Sequence, residues 1–503
     1  MFNYGTDTLT VQKAMDISSG KWQALLSADA VNRIKHSRRC VEKMAQSTKA
    51  VYGINTGFGP LCDTQISPAD THKLQENLLL THAVGVGKPI APILAKLMMI
   101  TKVQALSQGY SGIRFEIIER ICFFIDNNLF PLVPEQGSVG ASGDLAPLSH
   151  LFLPIIGEGS FWDGKTEIPT EEVLKEYNLA PIKLAEKEGL ALINGTQFIL
   201  AHAILGLSKM GYLLDLADIS GAMSLEGLQG SAAPFREELH RIRPFIGSLI
   251  VAKRMRSLLE DSANLADHAN CSRVQDPYSI RCIPQVHGAS RNAWQHLKEL
   301  TDIEMNSVTD NPIILNEEEA ISGGNFHGQP LAMALDYASV AASELGNIAD
   351  RRCYLLLEGK YGLPRLLTTA GGLNSGFMIP QYTTAALVSE NKSLCFPSSA
   401  DSIPTSLGQE DHVSMGSISG RKFNQILGNL DKILAIELLY SAQALEYRRP
   451  NTFSQLIEGI FAKVREKVPM LHEDRLLKTD INHLVTMVEN QVFKVNEGSE
   501  YDV

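Results

Sequence analysis

The chain has 503 residues, 44% apolar and 20% charged, which is enough hydrophobic material for a large core and excludes a disordered chain. A net charge of −11 without a basic block speaks against nucleic acid or an anionic membrane as partner. Seven scattered cysteines with no C-x-x-C pair, and thirteen histidines with no H-E-x-x-H, point to a reducing compartment and away from a disulfide framework or a metal site.

The N-terminus carries neither a basic nor an apolar leader region, so no signal peptide is expected and a cytoplasmic location is. A short extended start leads into a helix over 27–46. Tyr52-Gly53-Ile54-Asn55-Thr56-Gly57-Phe58-Gly59-Pro60 then breaks the pattern, because three glycines and a proline in nine residues rule out a regular helix. Apolar residues return at helical spacing over 75–83, 92–109 and 112–128, with Ile117, Ile118, Ile121, Phe124 and Ile125 on one face. Residues 157–188 are more polar, with a short hairpin expected around Asp163-Gly164. Beyond them come long apolar-periodic runs, about 197–230, 288–307, 327–358, 380–395, 412–447, 453–468 and 473–492. Helices this long and this apolar must pack into a bundle or an oligomer. The uncharged stretch 189–208 has Asn194, Gly195, Thr196 and Gln197 near its start, which fits a buried bundle helix better than a membrane span. The expected fold is mainly α, with an N-terminal active-site domain (1–193) followed by a long-helix bundle (194–503).

One loop asks for chemistry of its own. In Gly137-Ser138-Val139-Gly140-Ala141-Ser142-Gly143 the glycines let the backbone take positive φ and approach itself closely. Neither Ala141 nor Gly143 puts bulk between the Gly143 amide nitrogen and the Ala141 carbonyl, so the backbone can cyclise there. Loss of water from that ring and from Ser142 would leave an exocyclic methylene, an electrophile no ordinary side chain supplies. The residues alone also allow a plain turn or an anion site. They exclude a P-loop, since no Gly-Lys-Ser/Thr follows, and they do not match the dinucleotide glycine pattern.

The stretch from Gly137 through Asp144-Leu145-Ala146-Pro147-Leu148 resembles the signature of the aromatic amino acid ammonia-lyases, in particular their histidine-specific branch. In that family the Ala-Ser-Gly triplet matures into a 4-methylideneimidazol-5-one group, here from Ala141, Ser142 and Gly143, with no external cofactor. Further segments match in family order. The resemblance makes Tyr52 a candidate base for the substrate β-proton and sets His82 of Thr81-His82-Ala83 against the substrate side chain. Thr81 stands where histidine-specific members more often have Ser. Asn194 would contact the prosthetic group and the substrate. In Gln275-Asp276-Pro277-Tyr278-Ser279-Ile280-Arg281-Cys282, Arg281 would bind the α-carboxylate through its fork. Gln275 and Tyr278 would line the pocket, and Tyr278 would help poise the electrophile. Phe326 of Asn325-Phe326-His327-Gly328 would form an aromatic wall. Glu410 of Gln409-Glu410-Asp411-His412 goes with histidine-type substrates, since a carboxylate can accept an imidazole N–H that a phenyl ring cannot offer.

Each residue also has an ordinary structural reading. Tyr52 could pack beside a turn, His82 be structural, Asn194 cap a helix, Arg281 form a surface ion pair, Phe326 fill the core and Glu410 sit in a helix's first turn. The resemblance implies an L-aspartase/fumarase-like helical fold and a homotetramer whose sites draw on more than one subunit. His82 with Glu410 points to L-histidine as substrate, trans-urocanate and ammonia as products, and a role in histidine degradation. A phenylalanine or tyrosine ammonia-lyase, an aromatic aminomutase and a non-catalytic helical oligomer are the alternatives. Whether Tyr52 or Glu410 takes the β-proton stays open at this level.

Overall fold

The computed structural model of the chain describes residues 1–47, 50–61, 63–67, 70–268 and 273–495. Nineteen α-helices are found among them, with strands of only two to four residues paired into four two-stranded sheets. The mainly α expectation holds. Cys40, Cys122, Cys282, Cys353 and Cys395 form no disulfide, while Cys62 and Cys271 lie outside the described residues.

The chain divides into two compact units, and neither is a contiguous half. The first comprises Met1–Ser208, Leu297–Asp336 and Pro397–Arg421; the second comprises Lys209–His296, Tyr337–Phe396 and Lys422–Val503. This differs from a division at residue 193. The four longest helices, Gln197–Leu228, Ile283–Met305, Gln329–Leu357 and Gly416–Glu446, each contribute residues to both units. The change in composition near residue 193 therefore marks where a long helix begins, not where a unit ends.

In the first unit the helix Pro92–Leu106 starts with proline in its first turn, where the missing N–H costs nothing, and is buried from Leu94 to Leu106. It packs against Val11–Ser18 and Phe115–Asp126. The latter buries Ile117, Ile118, Ile121, Phe124 and Ile125, the face read from the sequence. The hairpin Ser160–Trp162/Glu167–Pro169 turns at Asp163, whose carboxylate accepts the Lys165 and Thr166 amides at 2.7 Å each. Helix Thr71–His82 carries His82 in its last turn.

The second unit is built from the long helices. Its core holds charge in pairs: Arg352, fully buried, is bonded to Glu437, which also accepts the Ser220 and Ser224 hydroxyls. Asp218 accepts from His287, Arg254 and Arg291. Satisfied in this way, charges can sit on helices that are apolar on most sides. Among the described residues, Gln197–Leu228 is the one helix long and apolar enough to cross a membrane, and 72% of its most apolar window is buried inside the protein, as a bundle helix requires.

Candidate active site

The Gly137 loop is pressed against two other segments. Gly140 and Gly143 adopt φ of 70° and 74°. A Cβ on Gly143 would lie 2.1 Å from the Gly195 carbonyl oxygen, and one on Gly140 would lie 2.2 Å from the Ser414 hydroxyl. Only glycine fits both the conformation and the space. The backbone of Met415 donates to Val139 O at 2.9 Å, and Val139, Ala141, Val413 and Met415 cluster together.

Asp144 ties the loop to a helix it does not belong to. Its carboxylate accepts the Phe198 and Ile199 amides at 3.1 and 3.0 Å, at the start of Gln197–Leu228, and the Ser138 hydroxyl at 3.0 Å. Its own amide donates to Gly195 O at 2.7 Å. Burial pushes the Asp144 carboxyl up to about 7, while the bonds from Ile199, Ser138 and Phe198 act in the opposite direction. Replacing it with alanine would leave two buried helix amides without an acceptor, at a cost of about 1–3 kcal/mol each. Asp144→Ala is therefore expected to lower the thermal midpoint by several degrees and Asp144→Asn by less. An alanine variant as stable as the wild type would show that the cap is unimportant.

Ser142 faces a cavity of about 940 Å³ that is also lined by Tyr52, His82, Asn194, Phe326 and Glu410. Its hydroxyl donates to Glu410 Oε1 at 2.7 Å, and its carbonyl accepts Asn194 Nδ2 at 3.0 Å. Glu410 Oε2 accepts the Thr405 and Ser406 hydroxyls at 2.9 and 2.8 Å. Burial lowers the His82 pKa, opposed by the Leu78 carbonyl and by Glu410, so the neutral imidazole is favoured. The Tyr52 hydroxyl oxygen accepts the Gly59 amide at 3.4 Å, and its ring meets Phe58 edge-on. These six sequence-predicted residues, with Ala141 and Gly143 on either side of Ser142, are brought together.

Several ordinary readings fall away. Glu410 is not in a helix's first turn: the helix expected from 412 begins at Gly416, because residues 414 and 415 bond back to the Gly137 loop and Met415 is left-handed. Asn194 does not cap the long helix, a role Asp144 fills. It instead ends the short helix Glu188–Ile193, and its Oδ1 is buried without a partner. Phe326 is half-buried at the cavity wall, not in the core.

Gln275, Tyr278 and Arg281 are not among the residues that line this cavity in the single chain. They belong to the second unit and cluster with each other. Arg281 donates to Gln275 Oε1 and Asp276 O, both at 3.0 Å, and its guanidinium lies 4.5 Å from the Tyr278 ring centroid. It has no carboxylate partner among the described residues, so the ion-pair reading fails as well, and Tyr278 is 71% exposed. Thr405, Ser406 and Asp144 do not stand out in the sequence. Isolated hydroxyls before Gln409 carry no pattern, and the acid of Gly143-Asp144 reads as part of the signature without revealing the helix it caps.

The loop and its floor fit the group that the triplet would form. The positive φ and lack of space at Gly143 hold 141–143 in a tight turn, and Asn194 has an unpaired buried oxygen beside it. Residues 9–466 match the model of a family described as aromatic amino acid lyase. The histidine ammonia-lyase of Symbiobacterium thermophilum is 46% identical over 484 residues, 96% of this chain and 95% of that protein. Among solved structures, the histidine ammonia-lyase from Trypanosoma cruzi superposes with a TM-score of 0.90 at 40% identity, covering 98% of this chain and 94% of that one. The tyrosine aminomutase from Streptomyces globisporus superposes with a TM-score of 0.93 at 34% identity, covering 98% and 97%.

Proposed function

We propose that this chain, which belongs to the aromatic amino acid lyase family, is a carbon–nitrogen lyase that eliminates ammonia from L-histidine to give trans-urocanate. The observation that carries the choice of substrate is the placing of His82 and Glu410 on one cavity with Ser142. A neutral imidazole and a carboxylate together suit a ring with both N–H and nitrogen lone pair. A phenyl ring has no N–H to offer the Glu410 carboxylate.

The chemical difficulty is twofold: the substrate β-proton is weakly acidic, and ammonia is a poor leaving group. Cyclisation of Ala141-Ser142-Gly143 with loss of two waters gives a 4-methylideneimidazol-5-one, which supplies the electrophile that activates the amine, with no external cofactor. The chain's own residues do the rest. Asn194 holds the Ser142 carbonyl and presents its second polar atom beside it. Glu410, oriented by Thr405 and Ser406, accepts the imidazole N–H. Phe326 walls the site, and Tyr52 takes the β-proton.

The α-carboxylate needs a cation, and among the described residues no Lys or Arg lines this cavity. Arg281, flanked by Gln275 and Tyr278, has fork donors and no carboxylate of its own. In this reading the enzyme is a homotetramer, and these three residues complete the cavity of a neighbouring subunit. The work is histidine degradation in the cytoplasm, in keeping with seven scattered cysteines that include no C-x-x-C pair.

The test is incubation with histidine, phenylalanine and tyrosine while following the absorbance of the conjugated acid. Histidine should give urocanate and the other two little or no product. Cinnamate or coumarate without urocanate would overturn the assignment of substrate. A β-amino acid product would make the chain an aminomutase.

A further inference from the structure

The helix Pro92–Leu106 carries two buried lysines, and one of them has no evident reason to be a lysine. Lys102 is 1% exposed, in a helix whose other residues from Leu94 onward are also buried. Burying an ammonium group costs several kcal/mol unless it is compensated. The nearest compensation is taken: Lys187, fully buried, holds Asp310 at 2.7 Å. Burial brings the Lys102 pKa down to about 7, Asp310 drawing it up and Lys187 pressing it further down. A methionine would fill the same space without that cost. What the lysine adds is one donor: Nζ bonds the backbone carbonyl of Asn194 at 2.6 Å.

That carbonyl belongs to the residue whose side chain reaches Ser142. The Asn194 amide donates to Leu190 O at 3.0 Å, its carbonyl is held by Lys102, and its Nδ2 donates to Ser142 O at 3.0 Å. The next carbonyl, Gly195 O, is held by the Asp144 amide. The peptide on which the Ala141-Ser142-Gly143 turn rests is thus pinned from behind by a residue that does not itself line the cavity.

We propose that Lys102 is a positioning residue that fixes Asn194 against the Ala141-Ser142-Gly143 turn, so that both maturation of the triplet and turnover depend on it. The proposal rests on the ammonia-lyase reading above. The experiment compares wild type, Lys102→Met, Lys102→Gln, Lys102→Arg, Asn194→Ala and the double variant Lys102→Met/Asn194→Ala. It reads the fraction of chains lighter by two waters, from intact mass, and kcat and KM for histidine. Lys102→Met and Lys102→Gln should mature incompletely or lose about tenfold to a hundredfold in kcat, with KM nearly unchanged. Lys102→Arg, which keeps a long donor, should recover most of the loss. On the Asn194→Ala background the methionine should cost nothing more, since Lys102 acts through Asn194.

Full maturation with wild-type kcat in a folded Lys102→Met or Lys102→Gln protein would overturn the proposal. So would losses that multiply in the double variant. If neither variant folds, Lys102 serves the fold and not the site, and the proposal fails. A wild-type mass without the loss of two waters would sink the underlying electrophile reading instead, and is seen in the same measurement.

Discussion

Ser142→Ala should fold as the wild type does and lose at least about a thousandfold in histidine turnover, equivalent to about 4 kcal/mol of transition-state stabilisation. The substitution removes one oxygen and spares the bonds that shape the loop. The Ser142 carbonyl keeps Asn194, Asp144 keeps the Phe198 and Ile199 amides, and the glycine conformations at 140 and 143 are untouched. Among the described residues, the one hydrogen bond lost is that from the hydroxyl to Glu410 Oε1, worth about 1.5–3 kcal/mol at most for a carboxylate acceptor. Glu410 retains Thr405 and Ser406. A folded protein with an almost complete loss of activity would therefore separate chemistry from structure. Intact mass makes the same point without a substrate: the wild type should be lighter than its encoded mass by two waters, and Ser142→Ala should show no methylidene-forming loss. Wild-type turnover by Ser142→Ala would remove Ser142 from the mechanism.

The parts of this site that are legible in the sequence are those where chemistry restricts residue type. Backbone cyclisation would demand small residues in a row, so residue types make Ala141-Ser142-Gly143 a candidate, and the family resemblance selects it over a plain turn. Helical burial demands periodicity, so the Ile117–Ile125 face is visible too. The supporting residues carry no such restriction. Thr405 and Ser406 are an ordinary Thr-Ser pair until the fold brings the Glu410 carboxylate onto both hydroxyls. Lys102 reads as a polar interruption in an apolar helix until Asn194 is found at its tip. Helix periodicity also misplaces an end: residues from 412 scan as helix, yet the loop at 139–140 takes the backbone bonds of 414 and 415 and delays the helix to Gly416. The two-unit division is hidden for a related reason. A long helix has one uniform pattern, and nothing in that pattern records that its two ends join different cores.

Tyr52→Phe should lower kcat for histidine by about 10²–10⁴, the usual range for losing a general base, with KM little changed. Tyr52 and Glu410 both face the cavity, but their oxygens are engaged differently. Glu410 Oε2 is committed to two hydroxyl donors, and Oε1 is committed to Ser142 only until that oxygen leaves. What remains is one carboxylate oxygen, suited to accept an imidazole N–H beside the neutral His82. The Tyr52 oxygen instead receives a backbone N–H from Gly59 at 3.4 Å. If Glu410 orients the ring and Tyr52 takes the proton, the two variants separate cleanly. Glu410→Gln should raise KM for histidine and narrow its preference over phenylalanine. Tyr52→Phe should depress kcat for every substrate and abolish the rising limb of kcat against pH. The reverse pattern, with kcat lost in Glu410→Gln and its pH limb kept in Tyr52→Phe, would transfer the proton to Glu410 and leave Tyr52 as a wall of the cavity.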